Sequence, residues 1–257
     1  MTLDFVTWRD SVVASLAARD DVVGVAGLGS TAATERADEF SDLDLFIIVA
    51  PGVHDRYRHE LDWLPNAEDA VLHLVEWHGG GKVLFRDGRF IEWGVGTPEE
   101  VGTWLAGEGV ILFDRDGDAA MALASAQANP YPVNVVSEAD ALATFLFAIN
   151  QGMGRVRRGE LVSGGDIIRS EAVAALLRAA RSGLKPATPG ALDPIDVRRR
   201  VERAFPALAS AIAAAVARDP EPAARALLAA ARDAFGERLP VGAVEAVSAR
   251  YGWRIEP

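Results

Sequence analysis

The chain has 257 residues, half of them apolar and a quarter charged, which excludes a disordered, collagen-like or coiled-coil protein and suffices for one large domain or two ordinary ones. It contains no cysteine, so a disulfide framework, a thiolate zinc site, an iron–sulfur centre and a cysteine nucleophile are excluded together. The net charge of −11 argues against a general polyanion binder, because nucleic-acid affinity comes largely from phosphate neutralisation by Lys and Arg.

The first residues carry acids, Asp4 and Asp10, where a secretory signal has a basic region and an apolar run. Asp4 to Asp20 has the period of an amphipathic helix, with Phe5, Trp8, Val12 and Leu16 on one stripe. Val22 to Leu28 reads as an apolar strand ending at Gly29-Ser30, and Asp42 to Ala50 as a second strand stopped by Pro51-Gly52. His54 to Leu64 has a helical pattern closed by Pro65. Ala70 to Trp77, Lys82 to Arg86 and Arg89 to Val95 then read as strands, the last two joined by the hairpin signal Asp87-Gly88. Thr97-Pro98-Glu99-Glu100 has the cap, the proline and the acids of a helix start, and Val110 to Phe113 is a last short strand.

From about Ala119 the pattern becomes alanine-rich and helical. Asn129-Pro130-Tyr131-Pro132 reads as a linker, which divides the chain into residues 1–128 and 129–257. Ser137 caps a helix with Leu142, Phe145, Leu146, Ile149, Met153 and Val156 on one face. Further helices are predicted at Asp166–Arg181, Pro206–Ala217, Pro222–Phe235 and Val241–Tyr251. The fold class is therefore an α/β domain with a mixed sheet, followed by an all-helical bundle. Ala207 to Ala217, the most membrane-like stretch, is too short to span a bilayer, so a soluble cytoplasmic protein with neither a membrane nor a nucleic-acid partner is expected.

Charge divides unevenly too. Residues 1–116 hold 9 Lys and Arg against 22 Asp and Glu, a net charge of −13, whereas residues 117–257 hold 17 against 15. Solubility accounts for such acidity, and so does a site for metal ions or a cationic ligand.

The chemistry concentrates between Gly27 and Val49. Strand alternation places Asp42 and Asp44 on one side, and the apolar run Leu45-Phe46-Ile47-Ile48-Val49 marks a strand covered on both faces. Two carboxylates there resist desolvation and repel each other, so a cation belongs between them; Mg²⁺ is commonly held by one or two carboxylates together with substrate phosphates. Upstream, Gly29 permits close backbone approach, and the Ser30 hydroxyl with nearby N–H groups suits an anion. Neighbouring anion and cation sites are what a metal–nucleotide complex requires.

Gly29-Ser30, eleven residues, then Asp42-Leu43-Asp44-Leu45 resembles the signature of the nucleotidyltransferase superfamily that includes DNA polymerase beta, in particular its small antibiotic-modifying members of the streptomycin/spectinomycin and lincosamide types. The third acid of that pattern, on a later strand, falls on Glu92 within Phe90-Ile91-Glu92-Trp93. The resemblance implies a mixed-sheet domain followed by a helical bundle. It implies transfer of AMP or another nucleoside monophosphate from ATP or another triphosphate to an acceptor hydroxyl, with release of pyrophosphate. Asp42, Asp44 and Glu92 are the implied catalytic residues and ligands of one or two Mg²⁺ ions, Glu92 being either a metal ligand or the base that takes the acceptor proton. Gly29 and Ser30 are implied at the β and γ phosphates. Where many relatives have Arg-Gly, this chain reads Thr31-Ala32-Ala33-Thr34-Glu35-Arg36, and Arg36 stands in from a later position. Arg157 is the candidate nucleotide-binding cation of the second half, although a cation at a helix end also suits the helix dipole. A small hydroxyl-bearing acceptor fits, and a cationic one such as an aminoglycoside suits the acidic first half. The alternatives are a protein-modifying, antitoxin-like transferase, against which the fused helical half counts, and a nucleotide-binding regulator without turnover.

Other motifs read as structural. His73 and His78 face opposite sides of a strand and cannot share a metal, Gly79-Gly80-Gly81 lacks the strand–helix setting of a phosphate loop, and Arg198-Arg199-Arg200 reads as a solvated face.

Overall fold

The computed structural model describes residues 2–33, 37, 38, 40–129, 136–193 and 195–254, the side chains of residues 2–4 excepted. The chain divides into two compact units, Met1–Pro132 and Val133–Pro257. Arg36 and all of the proline-rich linker except Asn129 lie outside the described residues.

In the first unit the described elements are α1 (Thr2–Ala17), β1 (Val22–Leu28), β2 (Leu43–Val49), α2 (His54–His59), β3 (Ala70–Val75), β4 (Gly81–Phe85), β5 (Phe90–Gly96), α3 (Pro98–Thr103), β6 (Gly109–Asp114) and α4 (Asp118–Ala128). The strands form one mixed sheet in the order β3-β4-β5-β2-β1-β6. β2 and β5 run parallel, and the other neighbours are antiparallel. Thr97 caps α3 through a complete capping box with Glu100, with Pro98 in the first turn, as the sequence predicts.

Each face of the sheet is covered by a different pair of helices. On one face, Leu43, Leu45, Ile47 and Val49 of β2 and Ile91, Trp93 and Val95 of β5 share a core with Phe5, Trp8, Val12 and Leu16 of α1 and Tyr57 of α2. On the other, Ile48 packs with Val101 of α3 and Ala119 and Ala122 of α4. Side chains on that second face thin out along β5. A Cβ on Gly94 or Gly96 would approach the Trp104 ring to 2.9 Å, so both glycines let the indole lie against the strand.

The predicted helix His54–Leu64 ends at His59. Glu60 is extended, and its carbonyl accepts the indole N–H of Trp63 at 2.9 Å. The turn delivers Trp63 into the core, where its ring meets Trp93 edge-on at 5.1 Å. Burial of this aromatic pair outweighs the continuing helical pattern of residues 60–64.

Next to it, the fully buried Tyr57 donates its hydroxyl hydrogen bond to the Asp21 carboxylate. Burial, with the bond and charge of Asp21, pushes the Tyr57 hydroxyl up to about 12. The unfolded chain releases that proton near the ordinary phenol value of about 10. The folded protein therefore loses stability between about pH 10 and about pH 12, by an amount of order 2 kcal/mol. Urea unfolding across this range is expected to lose that slope in Tyr57→Phe; equal slopes in both proteins would remove the assignment.

The second unit contains α5 (Glu138–Arg157), α6 (Leu161–Asp166), α7 (Val173–Gly183), α8 (Val201–Ala204), α9 (Pro206–Val216), α10 (Pro220–Phe235) and α11 (Val241–Tyr251) around one apolar core. Ser137 caps α5, accepting from the Asp140 N–H at 3.0 Å, and the predicted stripe Leu142, Phe145, Leu146, Ile149 and Met153 is buried. The helix expected at Asp166–Arg181 forms, running without a break from α6 through a π-helical turn at Ile167–Ala172 into α7. From the π turn, Arg169 donates to the Val216 and Arg218 carbonyls at the end of α9, satisfying groups that a helix leaves open. Arg198 and Arg199 are exposed, as a surface run suggests, and Arg200 is partly buried. Arg199 and Arg200 reach the buried Asp193 carboxylate, at 3.7 and 3.2 Å, and Asp193 also accepts the N–H groups of Ile195 and Asp196. Burial alone would raise the Asp193 pKa, but these hydrogen bonds and cations outweigh it and hold the carboxyl below its ordinary value. No helix among the described residues is long and apolar enough to cross a membrane.

Candidate active site

β2 and β5 lie side by side in parallel with Leu43 opposite Ile91, Asp44 opposite Glu92 and Leu45 opposite Trp93. Since Leu43, Leu45, Ile91 and Trp93 face the α1 core, Asp44 and Glu92 project together from the other face. Neighbouring strands are about 4.8 Å apart, so two carboxylates occupy adjacent places in one row. Like charges placed directly opposite destabilise a sheet, which makes this pair an arrangement that folding alone does not favour.

The turn after β1 closes on the same place. Gly29 has a left-handed φ of 54°, and a Cβ built there would stand 3.5 Å from Asp44 Oδ2. Its N–H donates to the Glu108 carbonyl at 3.0 Å, while the Thr31 N–H returns to the Leu28 carbonyl at 2.9 Å. The Ser30 N–H is outside these bonds, and the Ser30 hydroxyl donates weakly to the Asp42 carbonyl at 3.5 Å. Residues 29–32 form a turn, and the Ala33 N–H donates to the Gly29 carbonyl at 3.3 Å. The anion-binding groups on offer are those of a tight turn.

Thr31 is a residue that the motif reading passed over. It is fully buried, and its hydroxyl accepts the Asp44 N–H at 2.9 Å, pinning the turn to the start of β2. The signal was Gly27, whose added Cβ would lie 2.8 Å from Thr31 Cγ2: a strand glycine that makes room for a β-branched side chain.

Lys82 is the second omission. β4 pairs with β5 so that Lys82 stands opposite Glu92, extending the row to Asp44, Glu92 and Lys82 on one face. Its ammonium lies 3.4 Å from Glu92 Oε1 and 3.1 Å from Glu76 Oε1. The hydrogen bond to Glu76, aided by Glu92, holds the Lys82 pKa above its ordinary value. Among the described residues no three His, Cys, Asp or Glu side chains assemble as a metal-holding group. Asp44 and Glu92 share one face, whereas β2 begins at Leu43, leaving Asp42 ahead of the ladder, and the Glu92 carboxylate meets Lys82. The donors are nonetheless all oxygens, suited to a hard cation, and Mg²⁺ takes one or two carboxylates when phosphates and waters complete its shell. Asp42 and Asp44 fit such an ion.

Arg157 is engaged within the helical unit. It bonds to Glu221 at 2.7 Å and to the Tyr251 carbonyl at 3.3 Å. Asn150 likewise accepts the Tyr251 hydroxyl. His73 stacks on Trp93 and meets the Arg58 carbonyl at 3.0 Å, as a packed core histidine does.

Among solved structures the chain is similar to an aminoglycoside 6-adenyltransferase from Bacillus subtilis, at 13% identity and a TM-score of 0.31, over 96% of this chain and 91% of that one. This likeness is too slight to assign a family. No family model and no curated protein matches the chain.

Proposed function

We propose that the protein is a Mg²⁺-dependent nucleotidyltransferase that moves a nucleoside monophosphate, AMP in the first instance, from its triphosphate to a hydroxyl of a small acceptor and releases pyrophosphate. The observation that carries this reading is the pairing of Asp44 with Glu92 on one sheet face, beside the turn at Gly29 and Ser30. Asp42 and Asp44 would hold Mg²⁺, which supplies charge neutralisation of the triphosphate. The Ser30 hydroxyl and amide hold the leaving pyrophosphate, and Arg36 is assigned to the same phosphates by its position in the sequence. Glu92 takes the proton of the acceptor hydroxyl as that oxygen bonds to the α-phosphorus and the bond to pyrophosphate breaks. Arg157 is assigned to the nucleotide by its position in the sequence alone. A cationic acceptor suits a first unit whose acids outnumber its bases more than two to one.

Pyrophosphate release by the full chain tests this, with each common nucleoside triphosphate, Mg²⁺, and a panel of aminoglycosides, lincosamides and unrelated alcohols. Acceptor-dependent release with ATP is expected. Silence with every donor and acceptor overturns the transferase reading, and silence with the aminoglycosides alone removes the cationic acceptor.

A further inference from the structure

We infer that Lys82 is a positioning residue: its ammonium holds the Glu92 carboxylate toward β4 and away from Asp44, keeping Glu92 off the metal. This rests on the site reading above and divides the labour among its acids. Glu92 has a carboxylate neighbour on one side, Asp44, and a cation on the other, Lys82. Repulsion from the first and attraction to the second act in the same direction.

Lys82 is itself held. Glu76 Oε1 lies 3.1 Å from its ammonium, and Glu76 Oε2 lies 3.1 Å from His78 Nε2. The Gly80 N–H donates to His78 Nδ1 at 3.3 Å. A run of polar contacts thus leads from the turn after β3, through Glu76 and Lys82, to Glu92. An isolated half-exposed ion pair contributes at most about 1 kcal/mol and little orientation. Here Lys82 and Glu76 are both more than two-thirds buried, and the ammonium is shared between two carboxylates. That sharing is what a fixed position requires.

The test is Mn²⁺ binding to the full chain, followed by the EPR signal of the free ion with the metal alone and with a non-hydrolysable ATP analogue. In Lys82→Met, Glu92 is released toward Asp44, and Mn²⁺ affinity is expected to rise about threefold or more, a coupling in the range typical of contacting groups. Lys82→Arg keeps the cation and is expected to restore wild-type affinity. Loss of a positive charge would by itself attract cations, so Lys82→Met is repeated in a Glu92→Gln background, where the gain is expected to vanish. An equal gain with and without the Glu92 carboxylate, or no gain at all, overturns the positioning role while leaving the transferase reading intact. Failure of the wild-type protein to bind Mn²⁺ even with the nucleotide analogue overturns both, and Asp44→Asn, expected to bind none, marks that difference.

Discussion

Asp44→Asn is expected to lower acceptor-dependent pyrophosphate release by about 10³-fold or more, in line with the loss of a charged group that stabilises a transition state. Asp44 faces Glu92 across a parallel strand pair, beside the turn at Gly29. The substitution keeps the size of the side chain and removes only its charge, so the far-ultraviolet circular dichroism is expected to be unchanged. Retained turnover would exclude Asp44 from the site. Glu92→Gln separates roles further. As the proton acceptor it is expected to lose about 10²–10⁴-fold in turnover, with Mn²⁺ affinity little changed; a parallel loss of metal binding would make Glu92 a ligand instead.

Much of the first unit was legible because its signals are local. The alternation in Leu43-Asp-Leu-Phe-Ile-Ile-Val49 and the Asp87-Gly88 turn fix which residues of β2 and β5 face inward, and Thr97-Pro98 with Glu100 specifies a helix start without outside help. What the motif could not supply was the pairing between strands distant in sequence. β2 and β5 are joined by forty residues, so nothing local says that Asp44 meets Glu92 and not a neighbour one place along. Lys82 is a different case. Counting outward from a two-residue turn at Asp87-Gly88 pairs residue 83 with 92, but the turn holds three residues, with the Phe85 N–H donating to the Arg89 carbonyl, and this shift of one place is what sets Lys82 opposite Glu92. The helix end at His59 was not available: it is decided by a tertiary contact, Trp63 entering the core, which overrides a continuing helical period. The ion pair of Arg157 with Glu221, sixty-four residues later, is likewise a contact that no helical face announces.

The other large effect is expected at Trp93, the residue that makes the direction of Glu92 obligatory. Its indole is almost fully buried, lies edge-on to Trp63 at 5.1 Å, stacks with His73 at 5.9 Å, and donates to the Tyr57 carbonyl at 2.9 Å. Opposite it on β4, Gly81 has no side chain, and a Cβ there would come within 2.2 Å of the ring. Trp93→Ala therefore leaves a cavity that the surrounding strands cannot close, at a cost of about 3–5 kcal/mol, and strips the Tyr57 carbonyl of a donor. Urea unfolding of the full chain, read by far-ultraviolet circular dichroism, is expected to lose that much. A loss below about 1 kcal/mol would mean that the site collapses freely and that the aromatic cluster is not the anchor of β5. Trp93→Phe keeps most of the apolar volume and is expected to lose far less. The functional consequence follows from strand geometry, in which a slip of one residue exchanges the two faces. With the indole seated, such a slip would expose Trp93 and bury Glu92, so the energy that holds the ring inside also holds the carboxylate in the row with Asp44 and Lys82. Trp93→Phe is accordingly expected to keep its pyrophosphate release, because the register survives wherever an aromatic ring still fills the space above Gly81.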